Sequence, residues 1–398
     1  MSPEELALLG FPRTQNPLRR PPELSGFTDF TFSYLAVPQS SPLRLLLSNG
    51  GHSSFYIGNF NVYLAKELSR TLRMLGEVRF TYLPNGTLAQ DPLGRTRVST
   101  SVQDYNQLGR DLRWGGVVIE RIYIDWDIFP LLTLRLGQYL TPFGIWNVDH
   151  GSPVVIPVQR PFVTMLSFPE RQTGLELLGR WQTPGGSELG YHFTLSNGTG
   201  PISEYGDLDE NKAVGGRLWW GRRARGELRV GLSGYYGLST DSIYEPASNG
   251  LFPAAVERIS SQFHLGSWAG DLVWKFRGWH LQTELLGSRR KYTDKGRPMA
   301  PPGGAMSPPP MDDSWDYGGY FLGGYRFHWL GTMPFVLTEY NQSPGPAGEL
   351  GVVTIEGGLN LRPLDELAIK ASYLNATTVR GTGPGTFRVL QAQVALAF

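Results

Sequence analysis

Over most of its length this chain alternates apolar and polar residues with a period of two. In "TDFTFSYLA", Phe30, Phe32 and Tyr34 share one face and Asp29, Thr31 and Ser33 the other. In "LRMLGEVRFTY", Leu72, Met74, Val78, Phe80 and Tyr82 oppose Arg73, Glu77, Arg79 and Thr81. "ELGYHFTLS" sets Leu189, Tyr191, Phe193 and Leu195 against Glu188, His192, Thr194 and Ser196. About 16 such segments follow one another, near residues 24–36, 54–66, 71–83, 112–127, 131–140, 172–182, 188–197, 212–221, 226–237, 259–276, 278–291, 315–328, 333–341, 350–361, 365–375 and 387–398. Their connections alternate in length. "KELSR", "FP", "TPGGS", "GRRAR", "RG", "WLGT" and "RPLDE" are tight, whereas 37–53, 84–111, 141–171, 198–211, 238–258 and 292–314 are long. Short turns at one rim and long loops at the other predict an all-β fold, a closed up-and-down antiparallel barrel.

A soluble sandwich would show the same alternation, with its apolar face as core. Three features favour a barrel in lipid instead. Strands of 10 to 15 residues match the roughly 9–11 tilted residues that span a bilayer, against 5 or 6 in globular sheets. Aromatics gather near strand ends, at Tyr34, Tyr82, Trp126, Tyr139, Trp181, Trp219, Trp220, Tyr236, Trp274 and Trp279, as interfacial girdles do. A 16-stranded sheet in lipid must also close on itself to satisfy its backbone. No run approaches the 18 or so apolar residues of a membrane-spanning helix.

Charged residues are 18 % of the chain, against about 25 % in a typical soluble protein. The net charge of +1 supplies no field to gather nucleic acid, so a nucleic-acid partner is not expected. There is no Cys, which removes disulfides, thiolate metal sites and cysteine nucleophiles. Residues 1–23 read as a short N-terminal helix over 3–9 followed by a Pro-rich linker, placed in the periplasm. The stretch lacks the basic start and apolar core of a secretory signal, and the expectation is a mature chain whose signal has been removed. Residues 24–398 then form the barrel.

With lipid outside, the polar face lines a lumen wide enough for water at 16 strands. Parity places Arg73, Glu77, Arg79, Arg121, Asp125, Arg135, Arg180, Arg217, Arg229 and Arg326 on that wall, with Tyr123, Glu176, Glu227, His280, Gln282, Glu284, Glu356, Glu366, Lys370, Gln391 and Gln393. Glu120 and Lys212 fall on the wrong face, which requires a bulge or an earlier strand end. Arg outnumbers Lys by 30 to 6, and its planar fork suits carboxylate and phosphate. Arg facing acids predicts a transverse field with weak anion sites, or a set of paired residues that keep the lumen wet.

The third long loop, residues 141–171, carries five prolines, many apolar groups and few charges, unlike a solvated rim loop. Folded inward, it would bury Phe143, Ile145, Trp146, Val154, Val155, Ile156, Phe162 and Phe168 and constrict the pore. Asp149, His150, Arg160, Glu170 and Arg171 would face the aperture. An apolar cap over the rim or at a subunit contact is the alternative.

No catalytic residue, cofactor or metal ligand is expected. His192 and Ser196 in "YHFTLSNG" are four residues apart, about 13 Å along a strand, too far for a nucleophile and its base. The six His show no metal-ligand spacing, and "GTGPGTF" has neither the Lys of a P-loop nor a following helix.

At "ERIYIDWDIFPLLTLRLGQYLTPFGIWNVDHGSPVVIPVQRPFV" with "RQTGLELLGR" after it, the chain resembles Gram-negative outer-membrane porins, most nearly those grouped with the phosphate-selective porins O and P. The likeness covers residues 119–181; elsewhere it is the barrel pattern alone. It implies a 16-stranded passive channel, homotrimeric, constricted by the third loop. It also implies that a terminal aromatic, here Phe398, is read by the barrel-assembly machinery. Phosphate selectivity does not carry over, because the family's lysine cluster is missing. The expectation is therefore an outer-membrane porin for small hydrophilic solutes with a mild anion preference, in contact with the bilayer and lipopolysaccharide. A plugged structural or adhesive barrel is the rival, and an outer-membrane phospholipase a more distant one.

Overall fold

The computed structural model describes residues 21–38, 52–82, 87–90, 96–99, 114–148, 151–165, 167–198, 210–224, 226–246, 255–298, 311–345, 348–381 and 385–398. Its strands are β1 (Glu23–Ala36), β2 (His52–Glu67), β3 (Leu72–Tyr82), β4 (Thr87–Gln90), β5 (Thr96–Ser99), β6 (Trp114–Phe129), β7 (Leu132–Leu140), β8 (Arg171–Gln182) and β9 (Ser187–Ser196). They continue with β10 (Ala213–Arg223), β11 (Glu227–Pro246), β12 (Ala255–Phe276), β13 (Trp279–Tyr292), β14 (Ser314–Tyr325), β15 (Met333–Gly345), β16 (Gly348–Leu361), β17 (Leu367–Arg380) and β18 (Thr386–Ala397). All but β4 and β5 form one closed antiparallel barrel of 16 strands, each paired with its neighbour in sequence, β3 pairing with β6. Strands β4 and β5 make a separate hairpin in the connection between β3 and β6, where the sequence suggested only loop.

Closure falls between the first and last strands. Phe30 stands opposite Val394 and Thr31 opposite Gln393. Gly26 N donates to Phe398 O at 2.8 Å and Phe398 N to Gly26 O at 2.9 Å. The Phe398 ring lies 6.2 Å from that of Phe60. No unpaired edge is left at this seam, which is what a sheet in hydrocarbon requires.

The alternation in the sequence is the alternation in exposure. On β18, Leu390, Val394 and Leu396 are exposed while Gln391 and Gln393 are buried. On β6, Ile122, Ile124 and Trp126 are exposed and Asp125 is buried. An apolar outer surface of this extent around a polar, buried inner face is stable only against lipid. Among the described residues no helix is long and apolar enough to cross a membrane; the strands do the crossing.

The tight rim is built as expected. Arg277 and Gly278, with φ of 48° and 90°, make the two-residue turn between β12 and β13, and the positive φ at both positions is the primed-turn geometry that matches strand twist. At the other rim β11 and β12 stay paired out to Pro246 opposite Ala255, so most of the long connection expected over 238–258 is strand. The expected helix over 3–9 and the linker to residue 20 lie outside the described residues.

Two irregularities repair the parity conflicts. The β3/β6 register shifts between Glu77 opposite Arg121 and Val78 opposite Ile119. That leaves Glu120 as an extra residue, turned inward and buried. Lys212 precedes β10 and is not in a strand. Two expected girdle aromatics point inward instead. Tyr139 shares the face of Arg135, is fully buried and donates to Leu175 O at 3.1 Å. Trp219 shares the face of Arg217, its ring filling the place where Gly190 has no side chain.

Candidate functional site

The segment between β7 and β8 touches wall residues most of the way around the barrel, which is possible only across its interior. Arg217 on β10 donates to Gly144 O, and Gly144 N donates to Ser233 Oγ on β11 at 3.3 Å. Ile145 N donates to Glu284 on β13 at 3.0 Å, and Trp146 Nε1 to Tyr320 OH on β14 at 2.8 Å. Ser152 donates to Asp29 on β1. Lys370 on β17 donates to Ser152 O at 2.6 Å and Pro157 O at 3.0 Å, and Asn360 on β16 to Ile156 O at 2.9 Å. Phe162 N, at 3.1 Å, and Val163 N both donate to Glu339 on β15, and Ser267 on β12 donates to Ser167 O.

These contacts have one physical logic. A loop without regular structure carries backbone groups that burial would leave unpaired, at roughly 1–3 kcal/mol each. Inner-face carboxylates accept from the loop's N–H groups, and Lys370, Asn360 and Arg362 donate to its carbonyls. Apolar packing completes the seat. Phe143, Trp146, Val155, Ile156, Val163 and Phe168 form one buried cluster with Tyr235, Leu265, Leu286, Leu322, Met333, Phe335 and Leu337 of β11–β15. Gly215 on β10 admits the Phe143 ring; a Cβ there would stand 2.4 Å from it.

The wall from β3 to β9 is different. Cross-strand partners alternate in sign: Arg73 stands opposite Asp125, Asp125 opposite Arg135, and Arg135 opposite Glu176. Arg135 bonds Asp125 at 2.7 Å and Glu176 at 3.1 Å, with its guanidinium 3.9 Å from the Tyr123 ring centroid. Glu176 also meets His192 Nδ1 at 2.7 Å. Glu77 takes Arg121 Nε and Asn61 Nδ2, both at 2.6 Å. The bulged Glu120 lies 2.7 Å from Arg79 Nε and 3.1 Å from Arg171 Nε, ion contacts without hydrogen-bond alignment. Glu170 joins Arg171 at 3.4 Å to Arg160 at 2.8 Å, so the charges run onto the base of the loop.

The residues singled out in the sequence thus divide. Glu77, Arg79, Arg121, Asp125, Arg135, Arg160 and Arg171 come together in this charge ladder. Arg73 joins it near the tight rim, bonding Asp127 at 2.5 and 2.9 Å. Arg217 stands next to it, opposite His192 of β9, and is buried with Asp271 at 2.8 Å. Arg229 is half-buried, and its Nε has no hydrogen-bond partner among the described residues. Arg180 is exposed beside Glu188 at 2.9 Å, and Arg326 holds the turn after β14 through Gly331 O at 2.7 Å. Asp149 and His150 lie outside the described residues. Of the apolar loop residues, Val154 and Phe162 are exposed rather than buried. Asp271, Glu339 and Asn360 escaped the sequence reading, although each sits on the polar parity of its strand; Asp29 was placed on the polar face but not among the lumen residues. His192 faces Glu176, and Ser196 Oγ accepts from Gly198 N at 3.2 Å, so the two are not paired.

A cavity of about 410 Å³ lies between the loop and the closure seam, bounded by Val148, Gly151, Pro153 and Val154 and by Phe27, Tyr63 and Ala397, and it meets the ladder at Arg121.

No family model matches this chain, and comparison with curated proteins finds no match in sequence. Solved structures share its fold. An anion-selective porin from Comamonas acidovorans is 12 % identical with a TM-score of 0.54, over 95 % of this chain and 99 % of that one. OmpF of Salmonella typhi, solved with daunomycin, is 9 % identical with a TM-score of 0.52, over 95 % and 97 %. OprB of Pseudomonas putida is 8 % identical with a TM-score of 0.52, over 98 % and 97 %. At these identities the likeness is one of fold.

Proposed function

We propose that this chain is an outer-membrane porin, a passive channel for small hydrophilic solutes whose constriction is formed by residues 141–171. The observation that carries the reading is the placement of this loop. Its hydrogen bonds go to β10–β17, β1 and β2, and on this reading the solute path runs beside the charge ladder. A solute on that path would pass paired charges of both signs, which keep the wall wetted without binding tightly. Arg73, Arg79, Arg121, Arg135, Arg160 and Arg171 are proposed as its lining, with Glu77 and Asp125. A mild anion preference fits the excess of Arg, and the pairing of each ladder Arg to an acid keeps it mild. Kinship with the porins grouped with O and P, and a homotrimeric assembly, belong to the same proposal. Ohmic conductance of the purified protein in planar bilayers tests it; a barrel that inserts and carries no current refutes it.

The apolar cluster of the loop also supports a plugged barrel. Deleting residues 147–165 separates the two: a modest rise from an open state fits the porin, and a rise from near zero fits the plug.

A further inference from the structure

The outer face of β11–β14, toward the rim of the long loops, carries a pattern that the channel does not use. Residues facing lipid there fall into rows set by strand register. The row nearest the rim places His264 beside Lys291, and the next runs Tyr236, Gly266, Arg289 and Trp315. Below them Trp268, Gly287 and Tyr317 are neighbours, and then Leu285, Gly319 and Tyr340. Cations therefore stand directly above aromatics, and aromatics above an apolar surface where Leu285 leans over Gly319.

Two cavities follow this order. The upper, about 550 Å³, is lined by His264, Arg289, Lys291 and Asp294 among others. The lower, about 910 Å³, is open to the lipid side and lined by Trp268, Thr283, Leu285, Phe321, Thr338 and Val353 among others. Arg289 lies 5.4 Å from the Trp315 ring centroid. Among the described residues neither Arg289 nor Lys291 has an ion-pair partner. The nearby acids are largely committed. Asp313 holds Arg297 at 3.1 Å, and Glu349, at the edge of the lower cavity, holds Arg380 at 2.7 Å. Among the described residues Asp294 lines the upper cavity and Asp313 acts on Arg289 from farther off, against the charges of Arg289 and Lys291.

We propose that this face is a binding site for a phosphorylated lipid of the outer leaflet, its phosphate held by Arg289 and Lys291 and an acyl chain laid in the groove at Gly319. Charge complementarity selects the headgroup, because an anion at the membrane interface gains from each adjacent Lys or Arg. The aromatic row sits at the depth where headgroup meets chain. The groove supplies the second requirement, an apolar surface made by Trp268, Leu285, Phe321 and Val353. The site rests on the outer-membrane placement proposed above and is independent of whether the lumen conducts.

The test uses the full-length protein, stripped of lipid in detergent and titrated with bisphosphorylated lipid A or its dephosphorylated form by native mass spectrometry. The double variant Arg289→Ala, Lys291→Ala is expected to weaken the phosphorylated lipid roughly thirtyfold and to leave the dephosphorylated one unchanged. Thr338→Trp, which fills the groove from its exposed side, is expected to weaken both lipids. Equal affinities of the wild type for the two lipids would overturn the proposal, as would displacement by millimolar inorganic phosphate, which would mark a free-anion site. A change in oligomeric state on Thr338→Trp would overturn it too, by assigning the face to a second copy of the chain. A conductance measurement on the same samples reports separately on the channel.

Discussion

Two sides of one barrel interior use the same residue types for opposite ends. From β3 to β9, carboxylates face guanidinium groups: Asp125 and Glu176 hold Arg135, and Glu77 holds Arg121. From β10 to β17, Glu284 and Glu339 face backbone N–H groups of a loop that has come to them. An acid that meets an Arg across the sheet is satisfied locally and takes no bond from the loop backbone. One with no such neighbour is a fixed acceptor, and the loop seats on it. The difference is therefore one of partners rather than of composition, and the loop's backbone bonds fall on the β10–β17 side.

The strongest way to break this contrast is to remove the acceptors. In Glu284→Ala with Glu339→Ala, Ile145 N, Tyr320 OH, Phe162 N and Val163 N lose a partner. At roughly 1–3 kcal/mol for each orphaned buried donor, the loop should leave its seat while the barrel persists. Single-channel recordings are expected to show conductance raised several-fold with large fluctuations. Unchanged, quiet conductance would mean that the apolar cluster alone holds the loop.

Next in size is Arg135→Ala, which strands Asp125 and Glu176 on the ladder side. Breaking a buried pair from one partner costs about 3–5 kcal/mol. Heat-dependent gel mobility should show earlier unfolding of the barrel. Reversal potentials in a salt gradient should move toward cations, because Asp125 would lose its guanidinium and Glu176 would keep only His192. Selectivity that stayed where it was would place the permeation path away from the ladder.

Gly215→Val acts on the boundary between the two sides. A Cβ at this position would stand 2.4 Å from the Phe143 ring and 2.9 Å from Thr194 Oγ1. Overpacking of this kind costs about 1–3 kcal/mol. Earlier thermal unfolding is expected, relieved in part by Phe143→Leu in the same chain. Failure of that second change to relieve it would show that the valine strains the wall and not the loop.

How far the sequence went follows from the range of each interaction. The period of two was enough to find the barrel strands, because it depends only on which face meets lipid, and Leu390 through Leu396 show it without interruption. Glu120 was flagged as out of phase, and the bulge that turns it inward lies at that residue. The burial of Phe143, Trp146, Val155, Ile156 and Phe168 has its signal in composition, since a segment with so many apolar groups and prolines is unlike a solvated rim loop. The partners of that loop were not legible. Glu339 stands 177 residues from Phe162, and no local pattern distinguishes it from an acid that faces an Arg. The length of β11 and β12 was missed as well, because polar strand beyond the bilayer has the composition of a loop.

The smallest expected effect sharpens the contrast from its edge. Arg180 and Glu188 form a pair of the same chemistry as the ladder, at 2.9 Å, but the Arg180 side chain is 63 % exposed. Water and salt screen such a pair, and its loss is worth about 0–1 kcal/mol. Arg180→Ala should therefore leave the unfolding temperature and the reversal potential close to those of the wild type, whereas Arg135→Ala moves both. The two substitutions remove the same group from the same wall, so burial is the variable that separates them. If Arg180→Ala shifted selectivity as far as Arg135→Ala, the exposed tight rim, and not the ladder beside the loop, would be where the solute is sorted.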